Sequence, residues 1–120
     1  MIHIMDGDWS LLAEDTQLDC MPLYRLSKAR KAKPIEVPVH EVAYKPTDSI
    51  SSVSIRYVMA DVNQPSLLCI GMSNPYDRPY RMLDGRHRLL KRINKGQSTV
   101  LAYVVEEKDA MKFMSSIRIT

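Results

Sequence analysis

Residues 82–96 read MLDGRHRLLKRINKG and concentrate the groups best able to do chemistry. A short apolar run meets Asp84-Gly85, and Arg86, His87 and Arg88 follow where a helix should start. Leu89, Leu90 and Ile93 give that helix its apolar stripe, and Gly96 fits the residue just past its end. A helix N-terminus already carries unpaired N–H groups and partial positive charge. Each cation in the first turn therefore costs about 0.3–1 kcal/mol unless an anion offsets it. The pattern points to a bound anion. Asp84 caps the helix, and Gly85, lacking a Cβ, lets phosphate oxygens approach the backbone amides. Arg86 and Arg88 supply planar forks suited to phosphate, and His87 can donate or shuttle a proton. The competing reading pairs the arginines with Asp77, Asp84 or Glu41 and leaves the histidine simply packed.

Charge elsewhere is equally uneven. The formal net charge is only +3, but Arg25, Lys28, Arg30, Lys31 and Lys33 form one basic block, and Arg78, Arg81, Arg86, Arg88, Lys91, Arg92 and Lys95 form a second. Acids gather at Asp6, Asp8, Glu14, Asp15 and Asp19, then at Glu106, Glu107 and Asp109. Clustered positive charge favours a phosphorylated or polyanionic partner, against the plainer reading of two solvated faces. For a nucleic-acid backbone the candidate contacts are Lys28, Arg30, Lys31, Lys33 and Arg92, with Tyr24, Tyr76 or Tyr80 stacking on exposed bases.

These groups need elements to position them. "IEVPVHEVAY" alternates Ile35, Val37 and Val39 against Glu36, Pro38 and His40, which predicts a strand with Pro38 at an edge or bulge. Asp48 or Ser49 then caps a helix with apolar residues at three- and four-residue steps, ended by Asn63 and Pro65. "SLLCIGM" reads as a strand buried on both faces, "SNPYDRP" as a turn and "YRML" as the returning strand of a hairpin. After the Arg86 helix, "TVLAYVV" is a further strand. Ala110, Phe113, Met114 and Ile117 then line a last helix that places Glu106, Glu107 and Asp109 in its first turn, where the dipole favours acids. The order is β-α-β-β-α-β-α: an α+β domain with a mixed sheet of about four strands and three or more helices. Ahead of it, residues 1–33 form an N-terminal arm, from which Trp9, Leu11 and Leu12 could dock on the core as a short helix or arm and in which "LSKARKAKP" reads as an exposed segment or a frayed helix ended by Pro34; residues 34–120 form the domain.

The 120 residues suit one domain with a real core, and 45% apolar against 26% charged residues is a globular balance. The longest apolar runs are too short to cross a bilayer, and "MIHIMDGDWS" lacks a secretion signal, so the expectation is a cytoplasmic protein without a membrane partner. Cys20 and Cys69, far apart in sequence, are expected as packed thiols.

"MLDGRHRLLKRINKG" followed by "STVLAYVV" resembles the ParB/sulfiredoxin superfamily, in which a strand, a Gly-centred turn and a short basic motif open a helix followed by Gly and another strand. "PIEVPVHEV" is similar to the family's first strand, so the resemblance covers about residues 34–105. It implies a site at Asp84, Gly85, Arg86, His87 and Arg88 holding the phosphates of CTP, ATP or ADP with Mg²⁺, and either phosphoryl transfer, phosphodiester hydrolysis or binding alone. In sulfiredoxins the matching motif is Gly-Gly-Cys-His-Arg. Gly85, His87 and Arg88 match, but Arg86 stands in the cysteine's place, which argues against sulfinic acid reduction. Chromosome-partitioning ParB proteins carry a motif like Gly-Glu-Arg-Arg around the CTP triphosphate. Gly85, Arg86 and Arg88 fit it loosely, and the chain lacks room for the helix-turn-helix domain that follows there. A free-serine kinase relative uses a glutamate near the first strand as base. Asp84-Gly85 match its motif, His87 is displaced by one residue, and Glu36 or Glu41 would be the base, making Glu41 and His87 the candidate catalytic pair. Some ParB-like domains are nucleases; Asp84, Glu41 and His87 would hold their divalent ion, although no HxH, HExxH or clustered-acid spacing is present and no metal site is assigned. A non-enzymatic nucleic-acid-binding module, and a protein-interaction (inhibitor or adaptor) role with the pocket lost, are the alternatives.

Overall fold

The computed structural model of the chain describes residues 2–5, 16–44, 55–74 and 76–116. Its elements run β1 (Ile2–Met5), β2 (Thr16–Asp19), α1 (Met21–Ala29), β3 (Ile35–Pro38), β4 (Val42–Ala43), α2 (Ile55–Val58), β5 (Ser66–Ile70), β6 (Tyr80–Asp84), α3 (Arg86–Asn94), β7 (Thr99–Glu106), α4 (Glu107–Met111) and β8 (Met114–Ser116). A mixed five-stranded sheet in the order β3-β7-β5-β6-β4 is the centre of this α+β fold. β5 and β6 form the expected antiparallel hairpin, β7 runs parallel to β5, and β3 closes one edge antiparallel to β7.

The count of strands exceeds the expected four because "IEVPVHEVAY" is not one strand. After Pro38 the chain takes a 3-10 turn over Val39–Glu41, and Val42–Ala43 then pairs parallel to β6 at the opposite edge. In a flat sheet those edges would lie about 19 Å apart, at roughly 4.8 Å per strand. The four Cα steps from Pro38 to Val42 span at most about 14 Å. The sheet must therefore curl until its edges approach.

Both faces of the sheet are covered, as period-2 alternation requires. On one face Leu67, Cys69, Leu83 and Val105 pack with Cys20 and Leu23 of the α1 segment and Ala110 of α4. On the other, Val37, Val42, Leu68, Val100 and Ala102 pack with Leu89 and Ile93 of α3. β5, buried from Ser66 to Cys69, divides its residues between the two cores, as its unbroken apolar run implied. Both cysteines are fully buried thiols outside any disulfide. Burial, then the charge of Glu107, pushes the Cys69 thiol up to about 12.

Three regions depart from expectation. The first four residues of "LSKARKAKP" lie within a nine-residue α1 that begins earlier, at Met21, with a proline in its first turn. α1 closes with Ala32 N donating to Ser27 O and Lys31 N to Lys28 O, a Schellman end with Lys31 at φ +54° where glycine is usual. Cys20 and Leu23 thus bring the segment assigned to an arm into the core, while Trp9, Leu11 and Leu12 lie outside the described residues. The helix expected from Asp48 to Asn63 ends at Val58, and an Asp61-centred turn replaces its last residues; positions 48–54 lie outside the described residues. The last helix is only Glu107–Met111. Met114 belongs to β8, which pairs with β2 in a separate sheet, β1-β2-β8, and Ile117 lies outside the described residues. Pairing with a strand almost a hundred residues earlier overrode the local helical period there. Among the described residues no helix is long and apolar enough to cross a membrane.

Candidate anion site at the start of helix α3

β6 delivers the chain to Gly85, whose left-handed backbone (φ +105°, ψ 24°) turns it directly into α3. The first turn of α3 carries Arg86, His87 and Arg88, all half-buried, and no acid. This is the strand, tight turn and basic helix start that the sequence implied. Its details differ at three residues.

Gly85 is glycine for an internal reason. Besides the positive φ, a Cβ there would lie 2.6 Å from the Cβ of Ser66 on β5. The space a side chain would fill belongs to Ser66 of the neighbouring strand, which by itself requires glycine here. Its carbonyl accepts from Leu89 N at 3.0 Å and from Ser66 Oγ at 3.4 Å, tying the turn to both α3 and β5.

Asp84 does not cap α3: Gly85 occupies the N-cap and no side chain caps the helix. The Asp84 residue is 6% exposed, and its Oδ2 accepts a 2.6 Å hydrogen bond from the Tyr24 hydroxyl of α1. Burial, followed by the charge of Asp84 and the hydrogen bond to it, raises the Tyr24 proton affinity well above the ordinary tyrosine range, with Arg88 opposing. Tyr24 also packs edge-on against Tyr103 at 6.3 Å, so it is not a platform for a base. Tyr80 packs on the α3-side core, which leaves Tyr76, 48% exposed with the Arg78 guanidinium 5.3 Å from its ring centroid, as the exposed tyrosine among the three candidates.

Most of the second basic block faces inward. Arg78 donates to Val42 O (2.7 Å), Arg81 to Ser73 O (3.2 Å), Arg88 to Pro65 O (3.0 Å) and Lys91 to both Val58 O and Ala60 O (2.9 Å each). Arg92, expected on a nucleic-acid face, is 7% exposed; it donates to Val62 O, Thr99 O and Glu36 Oε2, the last at 2.7 Å. Positions 88, 91 and 92 share one helical face, and that face holds the backbone between α2 and β5. Burial lowers the Arg81 guanidinium to about 10. By contrast Lys28, Arg30, Lys31 and Lys33 are exposed around the end of α1, where Arg30 bridges to Asp109 at 2.9 Å.

Glu41 and Gly85 stand by opposite ends of β6. Glu41 precedes β4, whose Val42 pairs with Tyr80 at the start of β6, while Gly85 follows the other end of β6. Five residues of strand separate the two, about 16 Å. Glu36 is engaged with Thr99 Oγ1 (2.8 Å) and Arg92; the Thr99 hydrogen bond first, then Arg92, holds its carboxyl below the usual range. Among the described residues no group of three or more His, Cys, Asp and Glu is placed to hold a metal ion.

Tyr24 and Ser66 escaped sequence reasoning as members of this corner. Tyr24 lies 60 residues from Asp84, and Ser66 lies 19 from Gly85. No local period joins such positions; the amphipathic "MPLYRL" was the one signal that Tyr24 sits on a helix facing inward. Comparisons with protein-family models, curated proteins and solved structures find no match to this chain.

Proposed function

We propose that the β6–Gly85–α3 corner binds the phosphate group of a nucleotide, CTP, ATP or ADP with Mg²⁺, in a domain of the ParB/sulfiredoxin type. One observation carries this reading. α3 opens with Arg86, His87 and Arg88 and without an acid, while the adjacent carboxylate, Asp84, accepts from Tyr24 and makes no capping hydrogen bond to the helix. Positive charge from side chains and from the helix dipole is thereby directed to one corner, which favours an anion. The order β3-α2-β5-β6-α3-β7 also follows the resemblance, with β4 inserted after β3. Arg86 and His87, in the first turn of α3, are the side chains that this reading assigns to the ligand, and Glu41 lies beside the opposite end of β6. The reading is accordingly one of binding, with no chemical step assigned.

Titration calorimetry with CTP, ATP and ADP, with and without Mg²⁺, tests it. Wild type should bind at least one nucleotide and Arg86→Ala should weaken that binding at least about tenfold, the loss of one charge-assisted contact. Arg86→Ala is the informative variant, since Arg88→Ala also releases Pro65. Absence of binding by wild type, or equal binding by Arg86→Ala, refutes the proposal. Tight binding of a single-stranded oligonucleotide that weakens steeply with salt and survives Arg86→Ala would favour instead a nucleic-acid role for the exposed Lys28, Lys31 and Lys33.

A further inference from the structure

We infer that the C-terminal end of α1 and the β5–β6 loop form one surface for a single-stranded nucleic acid, with Lys28, Lys31 and Lys33 on its phosphates and Tyr76 stacked on a base. This surface is separate from the α3 corner and does not rest on the phosphate reading above. The strand registers place its two parts together. Ile70, the last residue of β5, lies opposite Tyr80 on β6 and Glu106 on β7. The loop of residues 71–79, and α4 after Glu106, therefore leave the same end of the sheet. Arg30 meets Asp109 of α4 at 2.9 Å, which brings the end of α1 there as well. Gly85 and the start of α3 lie at the other end, beside Ser66.

Both parts are fixed within the fold. Arg30 and the closing hydrogen bonds of Lys31 N and Ala32 N hold the end of α1. In the loop, Asn74 Oδ1 accepts from Tyr76 N and Arg78 N, and Asn74 Nδ2 donates to Met72 O and Arg78 O. Tyr76 is exposed, with the Arg78 guanidinium, itself held by Val42 O, over its ring. Such a ring is a stacking platform for any base. The charge of the α1 end is not consumed internally. Lys28, Lys31 and Lys33 are exposed, and no carboxylate pairs with them among the described residues. Nearby, Asp109 is taken by Arg30 and Lys112, and Glu106 by Lys108. Glu107 and Asp77, exposed at the same end, repel phosphate and keep its path on the α1 side. Lys31 occupies at φ +54° the left-handed position that Gly96 fills after α3, so the turn carries strain where glycine would relieve it, and what the lysine adds is charge. Between Lys28 and Lys33 the uncharged residues are Ala29 and Ala32. That stretch holds nothing to insert in a bilayer, which favours a nucleic acid over an anionic membrane.

The experiment is fluorescence anisotropy over a salt series, with labelled single-stranded DNA and RNA of about twelve nucleotides, enough to span one such groove. Thermal melting of each variant verifies folding, and Lys31→Gly suits the left-handed turn. Wild type should bind, with affinity falling as salt rises. Lys28→Ala/Lys31→Gly/Lys33→Ala should weaken binding at least about tenfold at low salt and flatten the log–log salt slope by about 2, the share of three phosphate contacts on a single strand. Tyr76→Ala should weaken binding about tenfold and leave the slope unchanged, as loss of one stacked base does. Lys95→Ala, exposed after α3 on the opposite face of the sheet, should change affinity less than about twofold. Absence of binding by wild type, or unchanged affinity in the triple variant or in Tyr76→Ala, overturns the inference. So does a loss from Lys95→Ala as large as the triple variant's, or tighter binding of a duplex than of its single strand. A tenfold loss in Arg86→Ala would move the strand to α3 and overturns it too. Binding to phosphatidylserine vesicles without binding to either oligonucleotide would assign the patch to a membrane instead.

Discussion

Helices α1 and α3 are each nine residues long and each belongs to a basic block, yet the two blocks do opposite work. Around α1, Lys28, Arg30, Lys31 and Lys33 stand in solvent at the helix C-terminus, where the dipole welcomes cations. Of these, Arg30 reaches back to a buried acid, Asp109. Along α3 and the hairpin before it, Arg78, Arg81, Arg88, Lys91 and Arg92 turn inward and donate to main-chain carbonyls. The carbonyls of residues 58–65 leave α2 with no strand partner at hand, and α3 supplies the donors that a buried backbone needs. A run of positive charge is thus as able to be internal scaffolding as a docking face. Arg86 and His87 stand half-buried at the head of α3.

The contrast can be broken at its hinge first. Gly85→Ala must place a Cβ against Ser66 at a positive φ, so stability should fall by about 3–4 kcal/mol in urea unfolding, from left-handed strain plus overpacking. Adding Ser66→Gly should recover part of that loss; a single variant as stable as wild type would show that the corner is open. Next, Arg92→Met leaves Val62, Thr99 and Glu36 without their donor and should cost about 3 kcal/mol. Lys33→Ala, from the outer block, should stay within about 0.5 kcal/mol. Equal losses from the two would erase the distinction between the blocks.

The one inward contact of the α1 block has a pH signature. Asp109 is held below the usual carboxylate range, first by the hydrogen bond from Arg30 and further by the charges of Arg30 and Lys112. A depressed folded-state value means that this stabilisation is complete above the unfolded carboxyl value, about 3.9, and is lost as the pH falls through the folded one. The Tm of wild type should therefore drop more steeply below about pH 4 than that of Asp109→Asn, with the Glu36 contribution present in both. The smallest effect is expected at the ends of the helices. Both close with the same backbone pattern, but α3 uses Gly96 at φ +80° where α1 uses Lys31 at φ +54°. Lys31→Gly should raise stability by about 0.5 kcal/mol, read from chemical unfolding, as relief of left-handed strain outweighs added chain entropy.

Much of the frame was legible in advance. The β5–β6 hairpin, α3, its Gly96 end and β7 follow from local period and turn chemistry, all within some forty residues of chain. The splitting of "IEVPVHEVAY" was half visible in Pro38, but which edge each half would join was not. The Asp84–Gly85–Arg88 corner was recognised as a unit, while the reasons for its residues were misjudged: Asp84 serves Tyr24, and Gly85 makes way for Ser66.

By itself the sequence determined where strands and helices begin along residues 66–106, and which residues of α3 share a face, because both depend on neighbours a few positions away. What those faces meet was decided only by the tertiary structure. Arg88, Lys91 and Arg92 end on carbonyl oxygens, which every residue carries and no side chain advertises. Tyr24 and Asp84 are joined across 60 residues by the packing of α1 on the sheet. Long-range contacts of this kind arise from filling a common core, and the linear order of residues holds no periodic trace of them.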